Sequence, residues 1–216
     1  MKTKAIIFDL DGVIVDTAKF HFLAWKALAD ELGMSFNETV NERLKGVSRM
    51  RSFEIILEVN DAEDKFSEEE KQALIAKKND LYVEFISHLT PDDILPGISE
   101  LLDRARAAGL GMAVASVSKN APAVLSALGI TDKFDYVADA AKVSKSKPDP
   151  EIFLVCAENL GVEPENCIGI EDSQAGIEAI KSAGMRSVGI NVTVTSVTPD
   201  IVLSSTAELD FDSIVF

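Results

Sequence analysis

The chain has 216 residues, 47% of them hydrophobic and 26% charged, which suits one substantial core, or a core carrying a smaller inserted domain, and excludes a disordered or fibrous chain. Its formal net charge of −15 argues against a nucleic-acid partner, because a phosphate backbone needs a basic face. A small anion stays within reach, since a few local cations can dominate the field inside a cleft. No apolar run approaches membrane-spanning length, and the one after Met1-Lys2-Thr3-Lys4 breaks at Asp9, too early for a signal peptide. A cytoplasmic monomer with no membrane partner is expected. Cys156 and Cys167 fit reduced, buried packing residues rather than a disulfide or a metal site.

In chain order, Ala5-Ile6-Ile7-Phe8 reads as a strand too buried to alternate, and it ends in Asp9-Leu10-Asp11. Gly12 then lets the backbone turn away. At the carboxyl end of a strand in a parallel α/β sheet, Asp9 and Asp11 lie where ligands collect. Carboxylates among apolar neighbours need a cation or hydrogen-bond donors to compensate them. The same spacing at Asp210-Phe211-Asp212 is given no role.

Thr17 to Leu32 reads as a helix closed by Gly33. From there to about residue 90 only helical patterns occur. One covers Arg51 to Val59; another starts at Ser67-Glu68-Glu69-Glu70, a capping-box arrangement, and runs to Ile86. A wholly helical block interrupting an α/β chain predicts an inserted domain, placed at 16–92, with a core formed by 1–15 and 93–216.

The α/β pattern resumes at Pro96-Gly97. A helix through Leu101, Leu102 and Ala105 leads to a strand at Met112-Ala113-Val114-Ala115 that stops at Ser116. Helix Ala121 to Leu128 precedes a short strand around Tyr136-Val137-Ala138. A loop then runs to Lys147-Pro148, and Asp149 is placed to cap a helix beginning at Pro150. Strand Cys167 to Ile170 ends in Glu171-Asp172; helix Gln174 to Ala183 and strand Ser187 to Ile190 follow, with a further short strand at Ile201-Val202-Leu203. Strands alternating with helices predict an α/β fold, a Rossmann-like doubly wound parallel sheet with an inserted α-helical cap domain.

Three strand ends thus carry polar groups: Asp9 with Asp11, Ser116, and Glu171 with Asp172. Carboxylates converging at one sheet edge repel, and the ordinary remedy is a hard divalent cation; Mg²⁺ fits best, taking few carboxylates, some waters and a phosphate oxygen. Lys147, held extended before Pro148, is placed to present its ammonium to a phosphate, whereas Lys142 and Lys145 read as solvated loop cations.

This constellation resembles the haloacid dehalogenase superfamily of phosphotransferases, through Phe8-Asp9-Leu10-Asp11-Gly12-Val13, Ser116, Lys147-Pro148 and Glu171-Asp172-Ser173. The resemblance implies that Asp9 is the nucleophile that forms an aspartyl phosphate and that Asp11 is the general acid/base. By the same likeness Asp9, the Asp11 carbonyl, Glu171 and Asp172 would hold Mg²⁺, while Ser116 and Lys147 would bind the transferring phosphoryl group.

The helical block adds Thr17, His21 and Trp25, four residues apart on one helix face. It also carries Leu44-Lys45-Gly46-Val47-Ser48-Arg49 and Lys77-Lys78-Asn79-Asp80. With Ser118-Lys119-Asn120 these segments resemble the hexose-phosphate mutase branch of the superfamily. That likeness implies that Gly46, Val47, Arg49, Ser118, Lys119 and Asn120 bind the non-reacting end of a sugar phosphate. Thr17 and Trp25 would line the substrate, and His21 and Lys78 would position Asp11 and the sugar hydroxyls. The implied activity is isomerisation of β-D-glucose 1-phosphate to glucose 6-phosphate through a 1,6-bisphosphate. The alternatives are a sugar-phosphate phosphatase of the same fold and a non-catalytic phosphosugar-binding protein.

Overall fold

Strand β1 (Ala5–Phe8) is buried along its whole length, as an unalternating Ala-Ile-Ile-Phe run requires. In the computed structural model, which describes residues 2–44 and 47–216, β1 pairs in parallel on both sides. Its neighbours are β2 (Gly111–Val114) and β4 (Cys167–Glu171). With β3 (Tyr136–Val137), β5 (Arg186–Ile190) and β6 (Ile201–Leu203) they form a six-stranded parallel sheet of order β3-β2-β1-β4-β5-β6. The order reverses at β1, so the crevice beyond its carboxyl end is the topological switch point of the sheet. The Rossmann-like doubly wound core expected from the alternation is present.

Two compact units make up the described chain: Met1–Asp16 with Leu89–Phe216, and Thr17–His88. The second unit holds α1 (Ala18–Glu31), α2 (Glu38–Glu42), α3 (Arg49–Val59) and α4 (Glu68–Ile86). The capping box expected at Ser67 is formed, with Ser67 Oγ accepting from Glu70 N and the Glu70 carboxylate accepting from Ser67 N. Helix α3 starts two residues before the expected Arg51, because Ser48 caps it by accepting from Arg51 N. Helix α2, Glu-Thr-Val-Asn-Glu, carries one buried residue, Val40, and so shows no apolar period to read. An aromatic core of Trp25, Phe53, Phe36 and their neighbours fills this unit.

The first unit adds α5 (Ile98–Ala107), α6 (Ala121–Ala127), α7 (Glu151–Leu160), α8 (Gln174–Ser182) and the short α9 (Phe211–Ile214). Helix α7 begins one residue later than its proline signalled, with Asp149 Oδ1 accepting from Glu151 N. Cys156 and Cys167 are free and buried. Asp210 and Asp212 face Arg104 at the surface.

Candidate active site

Just past β1 the ladder continues for one more bond, Asp9 N to Ile170 O at 2.9 Å, so Asp9 sits beside the end of β4, where Glu171 and Asp172 emerge. A carboxylate oxygen from each of Asp9, Glu171 and Asp172 lies within 4.8 Å of the others, a spacing that suits a shared cation. The carboxylate of Asp11 is not in that cluster; its expected share was its backbone carbonyl.

Two glycines make the cluster possible. Gly12 has φ +80°, and a Cβ there would lie 2.3 Å from Asp172 Oδ2, so the turn after β1 leaves its space to that carboxylate. A Cβ on Gly176, in the first turn of α8, would fall 1.9 Å from the Glu171 carboxyl carbon. Glu171 therefore lies flat against the helix that follows it.

Lys147 closes the arrangement. Its ammonium donates to Asp9 Oδ1 at 2.6 Å and to Glu171 Oε2 at 2.7 Å, with all three side chains nearly inaccessible, and it stands 5.2 Å from the centre of the Phe153 ring. The other Glu171 oxygen accepts from Ser173 Oγ at 2.8 Å and from the backbone N–H groups of Asp172 and Ser173. Burial, reinforced by the negative charge of Glu171, outweighs the pull of Lys147 and raises the Asp9 carboxyl to about 6. For Lys147 burial opposes the charge, but Asp9 and Glu171 prevail and hold the ammonium well above its ordinary value. Lys142 and Lys145 are solvent-exposed, as expected, beside Asp139 and Asp149 respectively.

The segment after β2 forms a chain of serine turns. Buried Ser116 accepts from Ser118 N at 3.1 Å, and Ser118 Oγ accepts from Asn120 N at 3.2 Å. An accepting hydroxyl keeps its own proton to donate. Ser118 and Asn120 are half-buried and Lys119 is exposed.

In the helical unit, Thr17 is fully buried at the start of α1, and its Oγ1 finds no hydrogen-bond partner among the described residues. One turn on, His21 stacks on Tyr82 at 4.0 Å, and its Nδ1 lies 2.9 Å from Lys78 Nζ. An ammonium only donates, so Nδ1 accepts and the ring proton sits on Nε2. Burial, then the charges of Lys78 and Arg49, push the His21 pKa well below its usual value. The two adjacent lysines diverge: Lys77 is a surface partner of Glu31, whereas Lys78 is buried over the rings of Trp25 and Tyr82. Arg49 heads α3, and its buried Nη2 has no hydrogen-bond partner among the described residues. Val47 is half-buried nearby in sequence, and Gly46 falls outside the described residues. Tyr82 and Phe153 carry no motif and were not signalled by the sequence; only helical spacing, four residues from Lys78 for Tyr82, points to the first.

A model of the haloacid dehalogenase-like hydrolase family matches residues 3–184. The chain belongs to this family. It is 47% identical to β-phosphoglucomutase of Bacillus subtilis (strain 168), over 97% of this chain and 92% of that one. It is 32% identical to a phosphorylated carbohydrates phosphatase of Thermotoga maritima, over 86% of this chain and 83% of that one. A crystal structure of β-phosphoglucomutase from Clostridium difficile superposes with a TM-score of 0.92 at 47% identity, covering 98% of this chain and 95% of that one.

Proposed function

We propose that the protein isomerises β-D-glucose 1-phosphate to glucose 6-phosphate through an aspartyl phosphate on Asp9 and a glucose 1,6-bisphosphate. What carries the reading is the buried Asp9–Lys147–Glu171 arrangement with Asp172 beside it, in a chain 47% identical to a β-phosphoglucomutase across nearly its whole length. Phosphorylated Asp9 gives its phosphoryl group to the 6-hydroxyl of β-D-glucose 1-phosphate: the bond from phosphorus to that oxygen forms as the bond from phosphorus to Asp9 breaks, and Asp11 takes the hydroxyl proton. The bisphosphate then turns over and Asp9 takes the phosphoryl group from C1: the bond from phosphorus to the C1 oxygen breaks as Asp11 returns the proton to that oxygen, which releases glucose 6-phosphate and restores the aspartyl phosphate. Lys147 and Ser116 hold the phosphoryl oxygens, and because Lys147 is already fixed by Asp9 and Glu171 it needs little reorganisation to do so.

Asp9, Glu171, Asp172 and the Asp11 carbonyl would hold Mg²⁺. Bound there, the ion supplies the positive charge that lets a carboxylate approach an anionic phosphate. Arg49 binds the phosphate that is not reacting. The buried Arg49 Nη2 with no hydrogen-bond partner among the described residues supports that use, since such a group is held in place for a ligand or is costly. Val47 is assigned to the same phosphate end as Arg49, and Thr17 and Trp25 line the substrate. His21, kept neutral with its proton on Nε2, donates to a sugar hydroxyl.

The deciding experiment supplies β-D-glucose 1-phosphate, Mg²⁺ and a trace of glucose 1,6-bisphosphate. Glucose 6-phosphate with little inorganic phosphate is the expected product. Stoichiometric inorganic phosphate establishes the second reading, a sugar-phosphate phosphatase, which the Thermotoga maritima relative favours. Arg49→Ala separates the two further: it is expected to raise KM for the sugar phosphate about tenfold or more, the loss of one charged hydrogen bond. It leaves hydrolysis of a small phosphate ester largely unchanged, and equal loss of both activities overturns the two-phosphate site.

A further inference from the structure

Lys147 lies in a long connection without regular structure between β3 and α7, and among residues 139–151 it is the one that is buried. Apart from Ala138 at its start, which belongs to the core, and half-buried Val143, which packs on it, no buried apolar side chain anchors this loop, so polar contacts set where the Lys147 backbone stands. A lysine stem has four rotatable bonds, and an ammonium held at 2.6 and 2.7 Å from two carboxylates depends on a fixed starting point.

Those polar contacts converge on one side chain. Glu151, the first residue of α7, accepts from Ser144 N at 2.9 Å and from Lys145 N at 2.7 Å. It also accepts from Ser144 Oγ, at 3.0 Å on one oxygen and 2.8 Å on the other. The ring is completed by Asp149, whose N donates to Ser146 O at 3.1 Å and whose Oδ1 accepts from Glu151 N. Lys147 stands in the middle of this ring, pointing into the site while Glu151 faces outward. A carboxylate accepting this many hydrogen bonds stays ionised, and the bonds from Ser144 hold the Glu151 pKa below its usual value.

We propose that Glu151 is a positioning residue for phosphoryl transfer: by gripping the backbone at Ser144 and Lys145 it fixes the loop that delivers Lys147 to Asp9. The inference rests on the reading of Lys147 as a ligand of the transferring phosphoryl group and adds the residue that sets its place.

The test follows phosphorylation of Asp9 by acetyl phosphate in Mg²⁺, a donor without a sugar, so that the outcome is independent of which sugar phosphate is the substrate. Glu151→Ala is expected to slow single-turnover phosphorylation about ten- to hundredfold, the scale of a misplacement of roughly 1 Å. Glu151→Gln, which keeps an acceptor oxygen, is expected to recover most of that rate. In a Lys147→Gln background Glu151→Ala is expected to cause no further loss, because both changes act through one ammonium. A purely stabilising role would instead lower the rate by the same factor in both backgrounds. Should Lys147→Gln fail to fold, hydrogen exchange decides: in Glu151→Ala the Ser144 and Lys145 amides lose protection while those of β4 keep theirs. A wild-type rate in Glu151→Ala, a full extra loss in the double variant, or unchanged protection overturns the proposal. Absence of any phosphoenzyme in the wild type overturns the reading beneath it as well.

Discussion

Lys147 is the residue on which the buried charges of the core depend. It has two carboxylate partners, all three side chains nearly inaccessible, so removing the cation strands two negative charges in a low-dielectric site. Lys147→Gln is expected to destabilise the metal-free protein by about 3–5 kcal/mol, measured by urea unfolding; a loss under 1 kcal/mol shows that the carboxylates take up protons or water instead. His21 gives a second test. With its pKa pushed down by burial, then by Lys78 and Arg49, the folded protein resists protonation that the unfolded chain accepts below about pH 6.5. Its contribution is therefore present above that pH and is lost as pH falls. His21→Asn removes that part of the slope, so the difference in unfolding free energy between the two proteins is expected to shrink between pH 7.5 and 5. A difference constant with pH would show that His21 titrates normally.

Across elements, the end of β4 and the first turn of α8 work as one piece. Gly176 leaves room for the Glu171 side chain, since a methyl group there would sit 1.9 Å from the carboxyl carbon. Gly176→Ala is expected to weaken metal binding about 10- to 100-fold by calorimetry, as loss of a ligand's support does, while the far-UV spectrum stays helical; unchanged affinity removes Glu171 from the metal site. What could be read beforehand at this level follows from chemistry at strand ends. Asp9, Ser116, Glu171 and Asp172 each stop an apolar run and stand out in the sequence for that reason. Glu151, Phe153 and Tyr82 do not, because each acts through a partner that only the folded chain brings near. The same holds for Lys77 and Lys78: adjacent, chemically identical cations whose fates differ by 100° around a helix. Helix α2 stayed hidden because it buries one side chain and is carried by neighbouring helices rather than by its own pattern.

At the scale of the whole molecule, the parallel sheet was legible because β1 to β5 are short, mostly apolar and separated from one another by a helical period, whereas β6, with no helix before it and Val202 exposed between half-buried neighbours, gave the weakest pattern. The acidic cluster also links stability to pH. Burial raises the Asp9 carboxyl to about 6, so between about pH 4 and 6 the folded state holds a proton that the unfolded chain gives up, and the metal-free protein loses stability as pH rises through that window. Metal ligation needs the ionised carboxylate. Mg²⁺ at 100 times its Kd is therefore expected to add about 2.7 kcal/mol at pH 7.5 and much less at pH 5, read as the difference between melts with and without Mg²⁺. A gain that does not grow with pH would show that the ion binds elsewhere.

The position of β1 at the middle of the sheet has a consequence for synthesis. Residues 5–8 leave the ribosome before every other strand of the sheet, yet one of their two neighbours, β2, begins at Gly111 and the other, β4, at Cys167. Until about half of the polypeptide has emerged a bare Ala-Ile-Ile-Phe segment waits with both edges open, and one edge stays open until β4 follows, while the continuous stretch Thr17–His88 already carries an apolar core of its own. A nascent chain stalled short of residue 171 would thus display a folded helical head and a sticky amino-terminal ribbon, the kind of species on which holdase chaperones act.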